Sequence, residues 1–151
     1  MFVLNPDAVL LNHYGHKADR FVAPSKRFER LLDQAHTEAE KSDSEAPSRH
    51  GAVLFNGAHI ISAGHNSDRF VSWTHHFGIF YRSMHAELGC LHGVSDSQIK
   101  GADLLVCRIN KAGVFRLSKP CQKCLDIMAT KGVRKCYYTT GHGAGLGLIR
   151  V

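Results

Sequence analysis

Two short stretches hold the residues best suited to chemistry, "SMHAELGC" at 83–90 and "SKPCQKC" at 118–124. They supply an imidazole (His85), two thiols (Cys121 and Cys124) and a carboxylate (Glu87) two residues after the histidine. One nitrogen and two sulfurs suit tetrahedral Zn2+. Three protein ligands leave a fourth position for water, the pattern of a catalytic rather than a closed structural site. A C-x-x-C at a helix start puts both sulfurs at one helix end, where the dipole and a cation both favour thiolate. Glu87 is too near His85 in sequence to be an independent ligand arm, yet near enough to reach a zinc-bound water. Zinc lowers the pKa of such a water to roughly 7, and one carboxylate beside it can accept and then deliver a proton. That is the chemistry of hydrolytic deamination, in which water adds to a ring carbon bearing an amine and ammonia departs. Either motif alone is weak, because a lone C-x-x-C is more often redox or coincidence. The combination H-x-E…P-C-x-x-C, each part at a helix start with a strand between, is specific.

These residues need elements that bring two helix starts together. Ser25 is suited to cap a helix running to about Lys41, with Phe28, Leu31, Leu32, Ala35 and Ala39 at helical spacing. A polar loop closed by Pro47 follows. "GAVLFNGAHIISAG" reads as a hairpin, with Asn56-Gly57 in a type I′ turn. "HAELGCLHGV" suits a short helix ended by Gly93, and "ADLLVCRI" a buried strand. "NKAG" reads as a turn leading into an extended "VFRLS" arm. "PCQKCLDIMATKG" suits a helix with Gly132 as its C-cap, "VRKCYYTT" a strand, and "LIRV" a final edge strand. Strands alternating with helices predict one mixed sheet with helices on both faces. The whole chain, 1–151, is expected to be a single domain. Residues 1–25 form an N-terminal extension of open structure in which "VLL" at 9–11 could be a short element.

At 151 residues and 44% hydrophobic, the chain can bury a real core, and no apolar run reaches the length of a membrane span. The N-terminus does not read as a signal peptide, so a soluble, intracellular, cytoplasmic protein is expected. Five cysteines, an odd count without a secretory signal, argue against a disulfide framework. Cys107 and Cys136 sit in apolar runs and read as core. The net charge of +6 favours anionic partners such as nucleotides or nucleic acid.

On "HAE", "PCQKC" and the hairpin "GAVLFNGAHIISAGHN", the chain resembles the cytidine and deoxycytidylate deaminase superfamily over about residues 26–140. The resemblance implies a three-layer α/β/α sandwich with a mixed, about five-stranded sheet. It implies one catalytic Zn2+ held by His85, Cys121 and Cys124, with Glu87 as the proton shuttle. It implies that Asn66 contacts substrate and that the backbone at Ala86 lies against the base. Relatives with histidine at the place of His85 are mostly not free-cytidine deaminases, which makes free cytidine a poorer expectation. The "NKAGVFRL" segment departs from many relatives by its length.

The expected substrate is a cytosine base in a (deoxy)cytidine nucleotide or in single-stranded nucleic acid. Arg69 and Arg82 could hold a phosphate, Trp73 could stack on a base, and Tyr138 could line the pocket or pack. Lys119 and Lys123 flank the cysteines and read as solvated, though they could add to a positive rim. Two alternatives stay open. One is another specificity in the superfamily, tRNA adenosine or guanine. The other is a non-enzymatic zinc-stabilised binding module, against which Glu87 argues because a structural site has no use for that carboxylate. Homo-oligomerisation, common among relatives, is left open.

Overall fold

Alternation of apolar residues over two faces is clearest in the strand Asp103–Ile109, where all but one residue is buried. Leu104 and Val106 point to one side, and Leu105, Cys107 and Ile109 to the other. A strand buried on both faces must lie in mid-sheet with a layer on each side. The computed structural model describes residues 20–23, 25–42, 48–68, 84–142 and 145–151. In chain order its elements are β1 (Arg20–Val22), α1 (Lys26–Glu40), β2 (Arg49–Asn56), β3 (His59–His65), α2 (Ala86–Leu91), α3 (Asp96–Ile99), β4 (Asp103–Ile109), β5 (Phe115–Arg116), α4 (Gln122–Lys131), β6 (Lys135–Thr139) and β7 (Leu146–Arg150).

The strands join in the order β1-β7-β6-β4-β2-β3, with β5 on the end of β4. Among the described strands only β4 and β6 pair in parallel, and α4 makes the crossover between them. The mixed α/β/α architecture is as expected, with seven described strands rather than about five. "LIRV" belongs to β7, which is not the edge: β1 pairs antiparallel beyond it, so residues 20–22 of the N-terminal extension are part of the sheet. Helix α3, at four residues, lacks the length to show in an apolar pattern. The "VLL" segment at 9–11 and the loop at 43–47 lie outside the described residues.

The Ser25 hydroxyl caps α1 by accepting from the Phe28 N–H at 3.4 Å. The apolar stripe of α1 covers one sheet face, with Phe28 packed on Tyr137 at 4.7 Å between ring centroids. Its buried Glu38 is satisfied by His65 Nδ1 and Lys41 Nζ, both at 3.1 Å. Helices α2 and α4 cover the other face. Two glycines set these approaches. A Cβ on Gly51 would lie 2.0 Å from the Ala35 carbonyl oxygen of α1, and one on Gly64 would lie 2.5 Å from the Cys90 nitrogen of α2.

The hairpin forms at the expected place with a different turn. Asn56 pairs with His59, so the loop is Gly57-Ala58. Gly57 takes the positive φ of 61°, and Ala58 does not. That is the type II′ pattern, with glycine first, rather than type I′ at Asn56-Gly57.

Candidate metal centre and active site

Each ligand sits where an extended segment turns into a helix. A bridge between Ser67 and Met84, with N–H···O distances of 3.0 and 2.7 Å, pins the chain just before His85. His85 is the N-cap of α2, Ala86 its first residue, and Glu87 lies in its first turn. On the other side, Ser118 anchors the approach to α4. Its hydroxyl donates to the Val106 carbonyl at 2.9 Å and lies 2.7 Å from Thr139 Oγ1, tying the "SKPC" arm to the ends of β4 and β6. Cys121 is then the N-cap of α4, and Cys124 lies buried in its first turn.

The two helix starts meet as the motifs required. His85 Nδ1 lies 3.7 Å from Cys121 Sγ and 3.4 Å from Cys124 Sγ. In a tetrahedron with Zn–N of about 2.0 Å and Zn–S of about 2.3 Å, the N···S edge is about 3.5 Å. Both N···S distances therefore already match what one zinc ion demands, and all three ligand atoms lie within 4.8 Å of one another. Among the described residues they form the one group of three or more such side chains close enough to hold a metal.

Without an ion, the three groups share protons among themselves. The Cys124 thiol donates a hydrogen bond to Cys121 and, with further help from His85, holds the Cys121 thiol down at about 4 against the opposing effect of burial. Cys124, carrying that proton in a buried position, is pushed up. The hydrogen bond to Cys121 raises His85, and burial opposes it. Glu87 is only 4% exposed, and burial pushes its carboxyl up, partly offset by His85 and by a hydrogen bond from Cys124. A carboxyl raised in this way can hold a proton as well as give one up, as a shuttle must.

A cavity of about 280 Å3 opens onto this centre. Its lining includes Asn66, His85, Ala86, Glu87 and Cys121, so five of the anticipated residues meet in one place, with Cys124 buried behind them. Asn66 is held from both ends of its amide. Its Oδ1 accepts from the His50 N–H at 2.8 Å, and its Nδ2 donates to the Ser48 carbonyl at 3.2 Å. These two bonds use one amide N–H and one oxygen lone pair and leave one of each.

Tyr138 does not join them. It is fully buried in the core on the α2/α4 face and is not among the residues lining the cavity. It faces Gly147 on β7, where a Cβ would come within 2.2 Å of the ring. The missing Cβ of that glycine leaves room for the ring. Arg69, Trp73 and Arg82 lie outside the described residues.

Five further described residues line the cavity: Ser48, His50, Ser118, Lys119 and Pro120. Only Lys119 carries a sequence expectation, a solvated side chain on a positive rim, and the structure places it in the wall. His50 falls at the end of a polar stretch in the sequence, but β2 begins at Arg49. Alternation with Ala52 and Leu54 puts the imidazole on the α2 side, a signal available in the sequence once the strand is extended by two residues. Burial, then Arg108 and His85, lower His50 to about 4, so it is a neutral ring in the cavity wall.

Comparison with known proteins agrees with this centre. The family model for the cytidine and deoxycytidylate deaminase zinc-binding region matches residues 25–140. A sequence search of curated proteins gives no match. Among solved structures, the apo dCMP deaminase of cyanophage S-TIM5 is similar with a TM-score of 0.56 at 20% identity, over 79% of this chain and 86% of that one. The same phage enzyme in complex with dCMP and dUMP gives 0.52 at 19% identity, over 78% and 83%. A point mutant of cytidine deaminase from Mycobacterium tuberculosis gives 0.50 at 16% identity, over 82% and 89%. These likenesses establish the fold. The family match, covering most of the chain and spanning both motifs, joins the zinc-ready geometry to a known chemistry, and the chain belongs to the cytidine and deoxycytidylate deaminase family as a zinc-dependent hydrolytic deaminase.

Proposed function

We propose that this deaminase acts on a cytosine base carried by a (deoxy)cytidine nucleotide or by single-stranded nucleic acid, giving uracil and ammonia. The observation that carries the reading is the cavity itself. It is small, about 280 Å3, and its lining holds a buried carboxyl, Glu87, and the ligands His85 and Cys121, with Cys124 behind them. That volume is at the low end for ligand sites, and a single-ring base demands less of it than a purine.

His85, Cys121 and Cys124 would hold the zinc, which when bound would supply the Lewis acidity that makes water a nucleophile near neutral pH. Glu87 takes the proton of the attacking water and hands it to the departing amine, so one group serves as base and then acid. Asn66, clamped by His50 and Ser48, offers its remaining amide N–H and lone pair to the nucleoside. The backbone at Ala86 packs against the base. His50, neutral and largely buried, adds a donor and an acceptor without charge. Thiolate ligands and five free cysteines fit a reducing, cytoplasmic setting. Among the described residues no helix is long and apolar enough to cross a membrane.

The test is ammonia release by the zinc-loaded protein, with Glu87→Gln as the blank. Substrates are cytosine, cytidine, dCMP, guanine, a tRNA adenosine stem-loop, and single-stranded DNA and RNA oligomers. Turnover of dCMP places the enzyme in nucleotide metabolism, and turnover of oligomers alone makes it a nucleic-acid editor. Turnover of only adenosine or guanine substrates overturns the cytosine reading. Zinc binding with no turnover at all favours the binding module.

A further inference from the structure

A row of basic residues runs from the cavity wall across the sheet. In the strand register His50 on β2 pairs with Arg108 on β4, and Arg108 pairs with Arg116 on β5. Directly opposed residues project to the same face. The alternation of β4, with Leu104 and Val106 in the α2/α4 cluster, puts Arg108 on the active-site face. Strands lie about 4.8 Å apart, so the three positions span about 10 Å. His50 lines the zinc cavity, and Arg116 lies five residues before Cys121.

Arg108 and Arg116 also line a second concavity of about 620 Å3, with Asn110, Lys111, Ala112 and Leu117. No carboxylate is in that lining, and neither guanidinium has an ion pair or hydrogen bond among the described residues. Arg134, by contrast, is paired with Asp103 at 2.8 Å. Two unpaired arginines on one face, held about a strand spacing apart, repel each other unless an anion lies between them. The two exposed large apolar side chains among the described residues, Val114 at 51% and Leu117 at 49%, sit on the same β4–β5 hairpin. Cations beside exposed apolar groups suit a ligand with both phosphate and base surface, rather than inorganic phosphate.

We propose that the β4–β5 hairpin is a phosphate-recognition surface, with Arg108 and Arg116 holding phosphate attached to the nucleoside whose base enters the zinc cavity. Guanidinium groups match phosphate oxygens in pairs. The concavity exceeds a single phosphate in size, so it admits the flanking phosphodiesters of a strand as well as a 5′-phosphate. The inference rests on the deaminase reading only for the placement of the base.

The experiment uses the full zinc-loaded chain and measures binding of deoxycytidine, dCMP and a labelled single-stranded oligonucleotide with one cytosine. Ammonia release is recorded alongside. Wild type is compared with Arg108→Gln/Arg116→Gln, with Arg108→Lys/Arg116→Lys, and with Arg150→Gln as a distant cation control. The double Gln variant is expected to bind phosphate-bearing ligands about tenfold or more weakly and deoxycytidine unchanged, with partial rescue by Lys. The slope of log affinity for the oligonucleotide against log salt should fall by about 1.4, at about 0.7 for each phosphate no longer neutralised. Weaker binding of dCMP and oligonucleotide alike assigns the surface to the nucleotide's own phosphate, and weaker binding of the oligonucleotide alone assigns it to the flanking phosphodiesters. Unchanged binding, an equal weakening for deoxycytidine, an equal weakening in Arg150→Gln, or no wild-type binding to any ligand overturns the proposal. Arginine-dependent binding without ammonia release from any substrate overturns the cytosine reading and leaves the surface standing.

Discussion

Replacing Glu87 with glutamine separates catalysis from metal binding. The side chain is 4% exposed, so alanine would leave a cavity and confuse the result, whereas glutamine keeps the volume. Glu87 is not among the three atoms spaced to hold zinc, so metal content should stay near one per chain. Burial already opposes its ionised form, so a neutral amide removes a desolvation cost and the fold should lose little stability. The loss falls on proton transfer. A positioned acid–base group contributes roughly 10²–10⁴ in rate, equivalent to about 3–5 kcal/mol of barrier. Zinc content by atomic emission, thermal melting, and kcat for ammonia release on the substrate found by the panel would be compared with wild type. Full zinc, a similar melting temperature and a kcat at least about a hundredfold lower are expected. Loss of zinc with glutamine, or a kcat within about tenfold of wild type, refutes the assigned role.

Other predictions follow from buried groups and close approaches. With zinc removed by a chelator, Cys121, partly exposed and held near 4, should be alkylated first by iodoacetamide. Cys90 and Cys107, which burial pushes up to about 12, should react only on unfolding, and peptide mass mapping that finds them modified alongside Cys121 would contradict the packing. His50 is lowered from 6.5 to about 4 in the folded chain, so the unfolded state gains its proton first as pH falls. Its contribution is intact above pH 6.5 and is lost between 6.5 and 4, up to about 3 kcal/mol. Urea titrations across that range should show wild type losing more stability than His50→Gln, and parallel curves would count against a neutral buried ring. Gly51→Ala would force α1 off the sheet, because the added Cβ meets helix backbone at 2.0 Å; a loss of about 3 kcal/mol or more in urea unfolding is expected, and a loss below about 1 kcal/mol would show the approach to be soft.

The metal centre is legible because its determinants are local. His85 and Cys121 each cap a helix directly after an extended segment, and Glu87 and Cys124 follow within one turn, so motif and geometry are nearly the same statement. The apolar stripe of α1 and the alternation in β4 identify their buried faces in the same way. What cannot be read depends on pairing between distant segments. The turn at Gly57-Ala58 follows from the β2–β3 register, which the Asn56-Gly57 pair alone does not specify. Tyr138 ends in the core because Gly147, nine residues later, leaves room for its ring, so "YY" at a strand end is compatible with either role. His50 and Ser118 reach the cavity, and Arg108 and Arg116 fall into one row beside it, only because β2, β4 and β5 align in a particular register. The sequence by itself determined which three side chains gather as metal ligands, the place of Glu87 beside them and the layered fold, since periodicity and capping are short-range. The wall and rim around that chemistry were decided by tertiary structure, because strand register is set by the whole core and shifting it by one residue would turn each of those side chains to the opposite face.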